Sequence, residues 1–226
     1  IKIMLRLTPG IEAHTHDYIK TGQLDSKFGF GMENGHAFMA VENALSIKGL
    51  ILTGFHCHIG SQIFEEEPFK DAAEVMIQFS KIVNEKYGFK TKEIDFGGGF
   101  GIKYIERDKP LAVKDYIAVL VESVKNSCEK HNLPIPKILI EPGRAIVGEA
   151  GTTLYTIGAI KNIPGVRKYV SVDGGMSDNI RPALYGAEYS AVIANKVNCS
   201  DEETVSIAGK CCESGDMLIW DIDLPK

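Results

Sequence analysis

Three short apolar runs in this chain each stop abruptly in a polar or glycine-rich loop, and that repeated layout limits the fold more than any other feature. Ile138-Leu139-Ile140 breaks into Glu141-Pro142-Gly143-Arg144. Leu50 to Phe55 breaks into His56-Cys57-His58-Ile59-Gly60-Ser61-Gln62, and Glu93 to Phe96 into Gly97-Gly98-Gly99-Phe100-Gly101. Turn residues or a helix-like stretch follow each loop. Parallel α/β folds carry their chemistry beyond the carboxyl ends of the strands. The three loops are therefore the candidate site.

The stretches between the runs have helical spacing. Asn34 to Ile47 sets Ala37, Phe38, Val41 and Leu45 on one face, with Gly49 as a stop. Phe69 to Tyr87 turns Phe69, Ala72, Ala73, Met76, Phe79, Ile82 and Val83 inward and ends at Gly88. Val113, Tyr116, Ile117, Leu120, Val121, Val124 and Cys128 mark a third helix. With a first strand at Ile1 to Leu7, the order is β-α-β-α-β-α-β, which predicts a parallel sheet. After about Gly148 the texture changes to short β-branched runs: Thr152 to Ile160, Lys168 to Val172, Ala191 to Val197, Thr204 to Ala208 and Met217 to Ile222. These predict a mostly β domain, sandwich or barrel. The expected division is 1–147 and 148–226.

Composition excludes several classes of function. The 226 residues are 44% hydrophobic and carry a net charge of −5 that is not gathered into blocks, so no nucleic-acid surface is expected. No apolar run approaches the ~18 residues of a membrane span. Cys57, Cys128, Cys199, Cys211 and Cys212 have neither disulfide-framework nor metal-site spacing, which points to a reducing cytoplasm. The chain begins at Ile1 on a strand-like run and ends shortly after another, as an interior piece of a longer protein would.

Residue by residue, the loops allow more than one reading. Gly97 to Gly101 exposes backbone N–H groups that can wrap a phosphate, and it also suits a tight turn needing positive φ. It lacks the spacing of a dinucleotide fingerprint. His56-x-His58 has metal-ligand spacing but no third ligand close by, so no metal is expected, and Cys57 points to the opposite face. His58 can instead stack on a flat ligand, with Ser61 beside it for a phosphate oxygen. His14-x-His16 lies in a polar, solvated loop. Glu141 can be a surface acid, a partner of Arg144, or an acid facing a protonated nitrogen, and Arg144 suits a phosphate or carboxylate. Arg181-Pro182-Ala183-Leu184-Tyr185 reads as a loop. Cys211-Cys212-Glu213-Ser214-Gly215-Asp216 reads as a turn with a thiol beside an acid, able to move a proton.

In combination these motifs resemble the diaminopimelate decarboxylases, pyridoxal-phosphate enzymes built from a (β/α)8 barrel and a β domain. The series is Ser26-Lys27-Phe28-Gly29, His56-Cys57-His58-Ile59-Gly60-Ser61-Gln62, Asp95-Phe96-Gly97-Gly98-Gly99, Glu141-Pro142-Gly143-Arg144, Arg181-Pro182-Ala183-Leu184-Tyr185 and Cys212-Glu213-Ser214. It runs in the family's order along nearly the whole chain. The resemblance implies removal of CO2 from meso-2,6-diaminopimelate to form L-lysine, with pyridoxal 5'-phosphate as cofactor. His58 would stack on the cofactor ring and Glu141 face its nitrogen, with Ser61, Gly98, Gly99, Gly143 and Arg144 around the phosphate. Arg144, Arg181 and Tyr185 would hold substrate carboxylate and Glu213 the distal ammonium, while Cys212 would donate the proton. A homodimer with its site at the interface is implied, Cys212 and Glu213 coming from the partner copy. The family's Schiff-base lysine and a cofactor-contacting tyrosine have no counterpart here, and Lys27 belongs to a different motif. The expected architecture is the C-terminal half of a barrel plus an incomplete β domain, inactive by itself. The rivals are an ornithine, arginine or carboxynorspermidine decarboxylase and a non-catalytic pyridoxal-phosphate protein.

Overall fold

Apolar runs and amphipathic stretches alternate as β1 (Lys2–Thr8), β2 (Phe30–Gly31), α1 (His36–Ser46), β3 (Ile51–His56), α2 (Glu67–Tyr87), β4 (Glu93–Asp95), α3 (Val113–Lys130), β5 (Lys137–Leu139) and α4 (Arg144–Val147). The computed structural model describes residues 1–11 and 27–226; His14, His16 and Ser26 lie outside the described residues. The chain divides into two units, 1–102 with 109–149 and 103–108 with 150–226. The protein is α/β, with one parallel and one mixed sheet.

In the first unit the strands form a parallel sheet in the order β2-β1-β3-β4-β5. β1, β3, β4 and β5 lie side by side in chain order, all parallel, while the two-residue β2 pairs on the other side of β1. All strand carboxyl ends therefore point the same way, and the loops after β3, β4 and β5 become neighbours. Three helices cover the sheet. α2 begins with Pro68 in its first turn and closes at Gly88, whose φ of 68° is the left-handed stop expected for a glycine there. Phe55 is fully buried, edge-on to Phe79 and Phe89, and Phe69, Phe100 and Tyr116 form a second aromatic group under the loops.

The helical faces differ from expectation at their borders. Leu45 and Ile82 are 43% and 40% exposed, while Ala44 and Ile77 are buried. Each residue turns a helix by about 100°, so an apolar side chain one step off the stripe leaves the core. Ala37, Val41 and Ala44 hold the axis of the α1 stripe.

The second unit contains β6 (Ile157–Ile163), β7 (Arg167–Val172), α5 (Arg181–Tyr185), β8 (Glu202–Ala208) and β9 (Met217–Pro225). Its sheet runs β6-β7-β8-β9, antiparallel except for the parallel pair β7–β8. Val170, Val172, Val205, Ile207, Leu218 and Leu224 form its core. Three expectations fail here. The run expected from Thr152 to Ile160 enters a strand only at Ile157 and continues to Ile163. Ala191 to Val197 is not a strand: turns at Asn195 and Asn198 divert the backbone, closing Lys196 N–H on Ile193 and Cys199 N–H on Lys196, while Ala191 and Ile193 still pack on the core. Arg181 to Tyr185 is a short helix rather than a loop, with Pro182 in its first turn and left-handed Gly186 at its end.

Candidate active site

Strand register explains how residues far apart in sequence meet. Arg6 of β1, His56 of β3, Asp95 of β4 and Leu139 of β5 are successive register partners across the parallel sheet. Side chains alternate along a strand, so partners in one row share a face, and His58, Gly97 and Glu141 begin the next row two residues on. The imidazole Nε2 of His56 lies 3.1 Å from Oε2 of Glu141. One side-chain ligand atom each of His56, Asp95 and Glu141 falls within 4.8 Å of the others. The acids missing from the vicinity of His56 in the sequence are thus supplied by the neighbouring strand ends, in a group of three to which His58 does not belong.

The loops are stitched together by the backbone. Glu141 N–H donates to Gly97 O, Ile63 N–H to Gly99 O, and Gly101 N–H back to Ile63 O. Gln62, at a φ of 59°, uses its amide to donate to Ile102 O at 2.8 Å and to accept from Ile102 N–H at 3.1 Å. Asp95 Oδ1 accepts from Gly97 N–H at 2.9 Å and so shapes the glycine turn. Gly99 has a φ of 96°, and a Cβ there would sit 2.2 Å from Gly60 O, so glycine is required on both counts. Tyr116, buried beneath, donates its hydroxyl to Ile63 O at 3.0 Å.

His58 Nδ1 accepts from Gly98 N–H at 3.2 Å, which leaves that nitrogen without a proton. Its pKa is lowered, first by burial and then by the positive charge of Arg6 and by His56, with Glu141 opposing. The imidazole is held neutral, with its Nδ1 edge on the glycine turn. Cys57 faces the core, fully buried, and burial together with Asp95 pushes its thiol up to about 12. Ser61 and Arg144 are half-buried, and Gly143 and Glu141 are exposed.

The remaining candidates belong to the second unit. Arg181 Nη1 donates to the Tyr189 hydroxyl at 2.7 Å, and its guanidinium lies over the rings of Tyr104 and Tyr189. Tyr185 ends the same short helix, half-buried. Cys212 and Glu213 are exposed on the loop before β9. That loop is organised by Asp216, a 3% exposed carboxylate that accepts from Met176 N–H and Cys211 N–H, both at 2.6 Å. A Cβ at Gly209 would lie 2.2 Å from this carboxylate, so the loop needs glycine there. Glu213 accepts from Gly215 N–H and the Ser214 hydroxyl.

Sequence reasoning missed His56 as the partner of Glu141, Asp95 as the turn's acceptor, Gln62 as the stitch, and Asp216 and Tyr189. The His-x-His and Ser-Gln spacings were the available signals for the first and third. The others come from tertiary proximity alone.

A set of flat neutral imidazole, carboxylate and glycine turn at one sheet end can take a planar, nitrogen-containing anion. Residues 1–148 match the family described as pyridoxal-dependent decarboxylase, pyridoxal binding domain. Over its whole length the chain is 56% identical to the diaminopimelate decarboxylase of Bacillus subtilis (strain 168), covering 52% of it, and 49% identical to that of Synechocystis, covering 47%. Among solved structures it is similar to diaminopimelate decarboxylase from Helicobacter pylori complexed with L-lysine, with a TM-score of 0.85, 30% identity and 53% of that chain covered. The lysine/ornithine decarboxylase from Vibrio vulnificus complexed with putrescine gives a TM-score of 0.75 at 20% identity with 54% of that chain covered, a likeness of fold alone. The chain spans about half the length of the curated relatives it matches.

Proposed function

Because the chain belongs to the pyridoxal-dependent decarboxylase family, we propose that it forms the core of a carboxy-lyase converting meso-2,6-diaminopimelate to L-lysine in lysine biosynthesis. The observation that carries this reading is the strand-end row, in which Glu141 stands beside the glycine turn that seats a neutral His58. Identity of 56% to a diaminopimelate decarboxylase along the entire chain supports the choice of substrate over ornithine, arginine or carboxynorspermidine. The β unit, with a core of its own, speaks against a lone-barrel pyridoxal-phosphate carrier.

The proposed architecture is part of a (β/α)8 barrel over 1–147 followed by a β domain over 148–226. The side-by-side succession of β1, β3, β4 and β5 supports it, as consecutive barrel strands are parallel neighbours, with the two-residue β2 on the far side of β1. A homodimer in the cytoplasm is proposed, the partner copy supplying Cys212 and Glu213. Among the described residues no helix is long and apolar enough to cross a membrane.

The residues fit pyridoxal phosphate. When bound, that cofactor supplies a conjugated ring that takes up the electron pair left as CO2 departs. Glu141 would accept a hydrogen bond from the protonated ring nitrogen and so keep the proton on it. His58 offers an uncharged face, so stacking adds no positive charge against that nitrogen. Ser61, Gly98, Gly99, Gly143 and Arg144 hold the phosphate, the glycines by admitting close approach to the backbone. Arg144, Arg181 and Tyr185 pair substrate carboxylate, and Glu213 pairs the distal ammonium. A substrate with two amino-acid heads needs both ends matched once desolvated, which is a basis for selectivity. Cys212 holds at Sγ the proton delivered to carbon.

The test uses the full-length natural polypeptide that contains this chain. Mixing with pyridoxal phosphate, trapping with borohydride and mass mapping should locate the cofactor on a lysine, and L-lysine should form from meso-diaminopimelate. Trapping without lysine formation, but with turnover of ornithine or arginine, would move the substrate assignment. No trapping at all would remove the enzyme reading.

A further inference from the structure

We propose that His56 is a positioning residue for the reaction: it anchors the carboxylate of Glu141 so that its other oxygen meets the cofactor ring nitrogen. The inference rests on the reading of Glu141 as the partner of that nitrogen. Glu141 follows β5 by two residues, and its side chain is 57% exposed, so nothing in its own packing fixes the rotation of the carboxylate. The His56 side chain is only 16% exposed and rises from the last residue of β3, a strand laddered to β1 and β4 on its two sides. The 3.1 Å approach of Nε2 to Oε2 ties the loose group to the rigid one.

The neighbouring acid does not take this task. Asp95 is the register partner of His56, yet its Oδ1 is spent on Gly97 N–H and so fixes the turn. The labour divides: Asp95 shapes the glycine loop, and His56 orients Glu141. With Oε2 occupied, Oε1 is the oxygen left to accept from a protonated ring nitrogen. A carboxylate free to rotate would spend part of its time turned to water and would hold that proton less well.

The experiment compares His56→Leu, which removes the donor, with His56→Gln, whose amide keeps an N–H near the position of Nε2. Both are made in the full-length natural polypeptide, loaded with pyridoxal phosphate labelled with nitrogen-15 in its ring. We expect His56→Leu to move the ring-nitrogen resonance toward its unprotonated position and to lower kcat by roughly tenfold to a hundredfold, the scale of one hydrogen bond to a charged group. KM for substrate should change little. His56→Gln should restore most of both. A His56→Leu holoenzyme with an unmoved resonance and unchanged kcat overturns the inference, as does a His56→Gln variant as impaired as His56→Leu. Failure of the unaltered protein to bind the cofactor would overturn the proposed function itself, and this inference with it.

Discussion

Replacing Tyr116 by Phe removes one oxygen from beneath the candidate site, and the structure sets the scale of the loss. The ring is fully buried, its hydroxyl donating to Ile63 O at 3.0 Å and accepting from Leu111 N–H at 3.4 Å. A buried carbonyl left with no donor would cost up to about 3 kcal/mol. Ile63 O, however, also accepts from Gly101 N–H at 3.0 Å, and half-buried Leu111 has access to water. The carbonyl is not orphaned, so only the net value of one bond is lost, about 1 kcal/mol. Tyr116→Ala removes in addition the contacts with Phe69 and Phe100, whose ring centroids lie 5.4 and 5.5 Å away, and opens a cavity, so about 3–5 kcal/mol is expected. Urea unfolding of the full-length protein should show a small fall in midpoint for Tyr116→Phe and a large one for Tyr116→Ala, with unchanged slopes. A Tyr116→Phe loss above about 3 kcal/mol would refute the shared-acceptor reasoning, and no loss would mean that the bond contributes nothing. Ile63 also pairs with Gly99, so Tyr116→Phe should loosen pyridoxal phosphate binding by a few-fold.

Thiol reagents should modify the exposed Cys199 and Cys212 in the native protein and spare Cys57, as mass mapping would show. A Cys57 thiol at about 12, against an ordinary 9.0, adds stability that is present below pH 9 and lost as pH rises toward 12. The slope is about 1.4 kcal/mol per pH unit, and Cys57→Ala should lose less over that window in alkaline unfolding curves. For His58 the sign is opposite. Its pKa lies below the ordinary 6.5, so the folded state binds fewer protons than the unfolded, and stability falls as pH drops below 6.5; His58→Phe should flatten that fall. Cys212→Ala should lower kcat by about a hundredfold or more, the range of a lost proton donor, in a lysine-formation assay. Glu213→Gln should raise KM for meso-diaminopimelate roughly tenfold with a smaller effect on kcat, since it removes one charge pairing to the part of the substrate that does not react.

Local pattern determined much of this protein. The strands and helices of the first unit follow from apolar period and from stops such as Gly88, because a helix stripe or a strand run is written in consecutive residues. The candidate loops were legible for the same reason: an acid, an imidazole or a glycine cluster placed just after a strand is a local signal. The Ala191 to Val197 run misled because apolar, β-branched content does not encode ladder pairing: Ala191 and Ile193 are half-buried against the sheet without joining it, and Val192 and Val197 are exposed.

What sequence could not supply was which loop residues touch. His56 and Glu141 are 85 positions apart, and their contact depends on the register of three parallel strands, which no local spacing encodes. The neutral state of His58, the burial of Asp216 under two backbone N–H groups and the hold of Tyr189 on Arg181 are likewise products of packing. Residue types and their order along the chain decided the chemistry on offer. The tertiary structure decided the partners, because hydrogen bonds and desolvation depend on distance in space, which only the assembled sheet sets.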